Sequence, residues 1–271
     1  MTRISWHPAF VQAIEKELED CRNDLTFVTE YQLTSDPLRI DVLIIKKNRN
    51  VAIKKNIARI FRSHNVVEYK SPNDRVTIED YDKTHCYSRL YASLNKVFVS
   101  EMSVTIIVQR YPRKLMAFLE DQYTVQNFQP GIYFVFGDTS PTQIIVSSEL
   151  SEEDNLWLRS LRTDLSAAQF GCAIESDDKK LPMDAYFHVL NEANTKALEE
   201  LLMQRKKGVI LSEKLDAYFR EAYQPYIAQG EARGKEQKAR ETAKNLKGMG
   251  MSFPDIAKAT GLSLAEVKRL S

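Results

Sequence analysis

The chain has 271 residues, 43% apolar and 28% charged, a balance that fits a globular protein with material for one large core or two smaller ones. A formal net charge of +1 excludes an overall field that draws the chain to nucleic acid or membrane, so such attraction has to come from local clustering. Three scattered cysteines make neither a metal-spacing pattern nor a disulfide framework, MTRISWHPAF lacks a signal-peptide core, and no run is long enough to span a bilayer; a cytoplasmic protein with no membrane partner is expected.

Phe10, Ile14, Leu18 and Cys21 recur at helical spacing in PAFVQAIEKELEDC (8–21), with Pro8 suited to the first turn. LTFVTEYQLT (25–34) and LRIDVLIIKK (38–47) read as strands joined by a hairpin turn at Ser35 and Asp36. Residues 48–64 carry no strand signal and read as a short helix or structured loop; NVVEYK then gives a third strand. Thr77 and Asp80 form a capping box that opens a helix over 78–94. SVTIIVQR (103–110) reads as a buried strand and RKLMAFLED as a helix. GIYFVFG and TQIIVSS read as strands, and SEEDNLWLRSLR (151–162) starts from its own Ser-x-x-Asp box.

This order predicts an α/β fold, a mixed central sheet flanked by helices, closing near residue 165. Beyond it the composition turns helical. EARGKEQKARETAKNLKGMG (231–250) is a charged helix that stops at glycines, and SFPDIAKATGLSLAEVKRL has the shape of a helix-turn-helix. A helical hairpin used for packing or oligomerisation explains that tail slightly better than DNA recognition does. The expected division is a sheet domain over 1–165, a helical extension over 166–230, and a charged helix with its helix-turn-helix-like tail over 231–271.

Chemistry concentrates in VVEYKSPND (66–74). Strand side chains alternate faces, so Glu68 and Lys70 share one while Tyr69 takes the other. The preceding strand carries a single acid, Asp41, inside an apolar run, where it is costly unless paired, hydrogen-bonded or bound to metal. A turn at Ser35 and Asp36 sets Glu30 opposite Asp41, so Glu30, Asp41, Glu68 and Lys70 can converge. Carboxylates without histidine or cysteine favour Mg²⁺ or Mn²⁺, which orient a water and offset charge on a scissile phosphate. Between the acids runs KKNRNVAIKKNIARIFR, with Lys46, Lys47, Arg49, Lys54, Lys55, Arg59 and Arg62 and no acid. A solvated helix face is the ordinary meaning of such a run; its position between the candidate ligands favours a phosphate-binding patch and DNA as partner. His64, His85, Trp6, Trp157, Tyr81, Tyr87 and Tyr91 read as packing or surface residues.

An acid in the second strand, then Glu-x-Lys in the third, after an opening helix, resembles the PD-(D/E)XK nuclease core, with Asp41 as the aspartate and Glu68-Tyr69-Lys70 as the (D/E)xK. TEYQLTSDPLRIDVLIIKK and IARIFRSHNVVEYKSPNDRVTIEDYDK are similar, more specifically, to the recombination-promoting nuclease and transposase-related branch, and the resemblance covers roughly residues 7–165 and the tail loosely. It implies a restriction-endonuclease-like fold and Mg²⁺-dependent DNA cleavage linked to recombination or mobile elements. Asp41 and Glu68 would ligate metal, the Tyr69 carbonyl would join them, and Lys70 would attend the attacking water. Ile40 stands where the family's proline precedes the aspartate, and the extra acid of the first helix could be Glu15, Glu17 or Glu19, but its role is expected to pass to Glu30, the fourth catalytic candidate. The rival readings are a nuclease fold kept as a DNA-binding or assembly module, and a structural ion-pair network; a homodimer is left open.

Overall fold

A computed structural model describes residues 4–33, 38–46, 51–207, 212–221 and 224–269. The chain divides into two compact units, Met1–Val209 and Ile210–Ser271. The first begins with α1 (Trp6–Glu17), β1 (Leu25–Gln32), β2 (Arg39–Lys46) and β3 (His64–Tyr69). It continues through α2 (Ile78–Leu94), β4 (Met102–Val108), α3 (Arg113–Gln122), β5 (Thr124–Gln129), β6 (Ile132–Phe136) and β7 (Thr142–Val146). Four helices follow: α4 (Glu152–Ser160), α5 (Ala167–Ser176), α6 (Asp184–Ala193) and α7 (Thr195–Lys206).

The seven strands form one mixed sheet in the order β1-β2-β3-β4-β7-β6-β5. The β3–β4 and β4–β7 pairs are parallel and the other four are antiparallel. Parallel neighbours need a crossover, and α2 supplies it between β3 and β4. The expected strands and helices of the sheet region are present, as is the capping box of Thr77 and Asp80. The first hairpin's turn, with Ser35 and Asp36, lies outside the described residues.

Helices cover both faces of the sheet. On one, Tyr87, Tyr91 and Ala92 of α2 bury against Leu43, Val66 and Met102. Farther along that face Tyr81 joins Leu115, Met116 and Leu119 of α3 over Val104, Ile106 and Ile144. On the other, Phe10 of α1 lies flat on Tyr69, ring centroids 4.3 Å apart and 4° from parallel. The 51–62 stretch is a structured coil with one 3-10 turn, Asn56–Ala58, sealed to the sheet where Gln143 Nε2 donates to the Ile57 carbonyl at 2.6 Å.

The break expected near residue 165 falls at 209/210 instead. The helices α5–α7 are part of the sheet unit rather than an extension from it. The Tyr186 amide donates to Gln12 at 2.7 Å, its hydroxyl donates to the Trp157 carbonyl at 3.0 Å, and the Leu165 amide donates to Asn194 at 3.0 Å.

The second unit holds α8 (Glu213–Glu221), α9 (Gln224–Gly248), α10 (Phe253–Thr260) and α11 (Leu264–Arg269). Gly261, at φ +74°, ends α10, and a Ser263–Glu266 box opens α11. Ala243, Ile256 and Val267 close a small core among α9, α10 and α11. Among the described residues no helix is long and apolar enough to cross a membrane.

Candidate active site

Strand alternation and one register assemble the site. Val66 of β3 packs under α2 and Tyr69 under α1, so Glu68 and Lys70 face α2. Val42 pairs with Val67 across β2 and β3, which sets Asp41 beside Glu68. The Asp41 Oδ2 atom accepts the Tyr69 amide at 2.9 Å, so this strand aspartate has one oxygen satisfied by backbone.

The fourth member comes from the helix. Lys70 Nζ lies 3.3 Å from Glu68 Oε1 and 2.9 Å from Asp80 Oδ1. Asp80 divides its two oxygens. Oδ1 takes the ammonium, and Oδ2 accepts the Thr77 amide at 3.0 Å and the Thr77 hydroxyl at 3.2 Å. The capping residue that starts α2 therefore also fixes where Lys70 points.

The charges are unevenly compensated. Burial, and next the Asp41 carboxylate, push the Glu68 carboxyl up from an ordinary 4.5 to about 7, against the opposing pull of Lys70 and Lys83. Burial disfavours the Lys70 ammonium, but the Asp80 hydrogen bond and the Glu68 charge outweigh it and hold Lys70 above its usual range. Burial likewise opposes the Asp80 charge, and the Lys70 contact overcomes it. The shorter contact makes Asp80 the principal counterion of Lys70, which leaves Asp41 and Glu68 as a carboxylate pair short of positive charge.

Glu30 does not join this group. The register on either side, Thr29 with Val42 and Tyr31 with Ile40, runs Glu30 opposite Asp41, as the hairpin reading predicts. Yet Glu30 adopts φ +48°, the ladder is interrupted there, and its carboxylate pairs with Arg39 at 2.9 Å, both side chains more than half exposed. The acids of α1 and of the 3-10 turn that follows it (Glu19–Asp24) are also engaged elsewhere. Glu15 pairs with Arg22, Glu19 with Lys16, and buried Glu17 with Lys55 at 2.8 Å while accepting the Trp157 and Leu158 amides.

The basic run separates into different roles. Lys55 is committed to Glu17 and to the Asp154 carbonyl, whereas Lys54, Arg59 and Arg62 are exposed. Lys46 ends β2 with its amide donating to the Ser63 carbonyl, and Lys47 and Arg49 lie outside the described residues. Asp80 is the functional candidate that sequence reasoning assigned to capping alone. Its signal was there to find, because the acid that closes the box stands ten residues after Lys70, at the mouth of the helix covering the third strand.

Comparison with protein-family models, curated proteins and solved structures found no match for this chain. The chemistry therefore rests on the side chains themselves. Among the described residues no group of three or more histidine, cysteine, aspartate or glutamate side chains is arranged to hold a metal ion. The Asp41–Glu68 pair still suits a hard divalent cation, since Mg²⁺ commonly takes one or two carboxylates and completes its shell with waters and substrate phosphate. Burial first, and the Asp41 charge second, raise the Glu68 carboxyl, so a cation at this pair would act against both.

Proposed function

We propose that this chain is a Mg²⁺- or Mn²⁺-dependent DNA endonuclease built on a restriction-endonuclease-like core of the PD-(D/E)XK type. The observation that carries the reading is the under-compensated Asp41–Glu68 pair with Lys70 at 3.3 Å, all at one end of β3. Asp41, Glu68 and the Tyr69 carbonyl would hold the cation. When bound, it would activate a water and offset charge on the scissile phosphate. Lys70 stays protonated between Glu68 and Asp80, so its part is to hold the attacking water and meet phosphate charge rather than to remove a proton. Exposed Lys54 supplies a phosphate contact that is independent of base sequence. The resemblance to recombination-promoting nucleases supports a role on recombining or mobile DNA.

One observation favours a second reading, a nuclease fold retained as an assembly or DNA-binding module. Lys70 already satisfies two acids, as a structural ion-pair network would have it. Nicking of supercoiled plasmid separates the two. The nuclease reading expects cleavage that requires Mg²⁺ or Mn²⁺ and falls at least about 100-fold in Asp41→Ala and Lys70→Ala, the scale of losing a major charge-stabilising group. Folded protein that never cleaves with either metal, yet binds DNA, would establish the module instead.

A further inference from the structure

At the free edge of the sheet, β5 and β6 carry a row of aromatic rings that the core does not use. Their ladder pairs Thr124 with Phe136 and Gln126 with Phe134, which puts Phe134 and Phe136 on one face. Val125 and Val135 on the opposite face pack with α3, so the hydrophobic demand of this hairpin is met there. On the outer face Phe128 stacks on Phe134 at 4.7 Å and 9°, and Phe136 stands edge-on to Phe134 at 6.2 Å. Phe136 is 49% exposed.

Positive charge lies beside the rings. The Arg59 guanidinium sits 4.7 Å over Phe128, and exposed Arg59 and Arg62 share with Phe134 and Phe136 the wall of a groove of about 350 Å³. Among the described residues lining it, Asp138 is the single acid. Its carboxylate is occupied by the Tyr81 hydroxyl and the Thr139 amide, both at 2.5 Å. Flat apolar faces next to exposed guanidiniums complement a ligand that has unstacked bases on a phosphate chain. A duplex hides its base faces and would leave the rings unused.

We propose that this groove binds single-stranded DNA, with bases stacked on Phe134 and Phe136 and phosphates held by Arg59 and Arg62. The rings lie on the face of the sheet opposite the carboxylate pair and three strands away from β3, with Phe134 level with Val67. The nuclease reading bears only on the choice of DNA as the polymer. The groove is thus a second site, one that retains an unpaired strand while the duplex is engaged elsewhere.

The test is fluorescence anisotropy of a labelled oligothymidylate with the full chain in EDTA, where cleavage is silent. The expected result is binding that weakens about tenfold in Phe136→Ala, the scale of one lost base stack. Arg59→Ala should flatten the salt dependence by about 0.7 in log–log slope. Binding of a duplex oligonucleotide should be indifferent to Phe136→Ala. Because Phe136 is half exposed, its variant should keep the wild-type melting temperature, which confirms that any loss is local. No binding of oligothymidylate by the wild type, or unchanged affinity in both variants, overturns the proposal. So does a dimer, seen by sedimentation, that Phe136→Ala dissociates without altering oligonucleotide affinity. Plasmid nicking reports separately on Asp41 and Lys70, so failure of the nuclease reading and failure of this one are distinguishable.

Discussion

Glu68 links stability to pH in a definite direction. Its carboxyl in the folded chain sits near 7 against an ordinary 4.5, so the folded state prefers it protonated. Its contribution to stability is complete below about pH 4.5 and is lost as pH rises through 7. Removing the charge at constant shape should therefore help the metal-free protein at high pH. In EDTA, Glu68→Gln should melt above the wild type at pH 8, by up to about 3 kcal/mol, and the difference should shrink as pH falls and close below about pH 4.5. Equal melting temperatures at both pH values would show that Asp41 and burial do not strain Glu68. The residues behind this prediction were legible in the sequence, because a lone strand acid and a same-face Glu-x-Lys are local patterns. Glu30 was not, since the left-handed backbone that breaks its ladder position leaves no trace in the alternation of strand residues. Asp80 was read as a cap because capping is decided within four residues, while its grip on Lys70 depends on how α2 lies over β3.

At the scale of elements, the sheet shows where periodicity informs and where it fails. The buried strands β4 and β7 announce themselves through apolar runs, SVTIIV and TQIIV, as parallel strands covered on both faces do. β5, the sequence TVQNFQ, is an edge strand with mostly exposed side chains, and it went unread because half its ladder and most of its surface face solvent. What fixes β6 beside it is a turn glycine. Gly131 has φ +75°, and a Cβ there would stand 2.6 Å from the Val146 carbonyl oxygen and 2.8 Å from the Leu150 amide nitrogen. Both are backbone atoms that cannot swing aside. Gly131→Ala should cost at least about 2 kcal/mol in chemical denaturation, combining left-handed strain with the clash. A change under about 0.5 kcal/mol would mean that the β7 end can shift to make room.

For the molecule as a whole, the sequence separated a sheet region from a helical one but set the boundary too early, because composition turns helical before packing lets go of the sheet unit. That packing matters for function, since α1 is pressed onto Tyr69 from one side and tied to α6 from the other, which steadies the strand that carries Glu68 and Lys70. If Asp41 and Glu68 hold a cation as proposed, the fold itself should respond to metal. A ligand that binds only the folded chain stabilises it by about 2.7 kcal/mol at one hundred times its dissociation constant. For a domain of this size that corresponds to a rise in melting temperature of roughly 5–10 °C. The cation needs Glu68 ionised, so at one fixed, subsaturating Mg²⁺ concentration the rise should be larger at pH 8 than at pH 5.5, on either side of the Glu68 midpoint near 7. Asp41→Asn should abolish it at both. An ion-pair network anchored on Lys70 predicts the opposite pattern, no response to Mg²⁺ at any pH, because Lys70 would already supply the charge that the metal is proposed to bring. Thermal melts of the intact chain across these conditions decide between a site that is electrically complete and one that is short of a divalent ion.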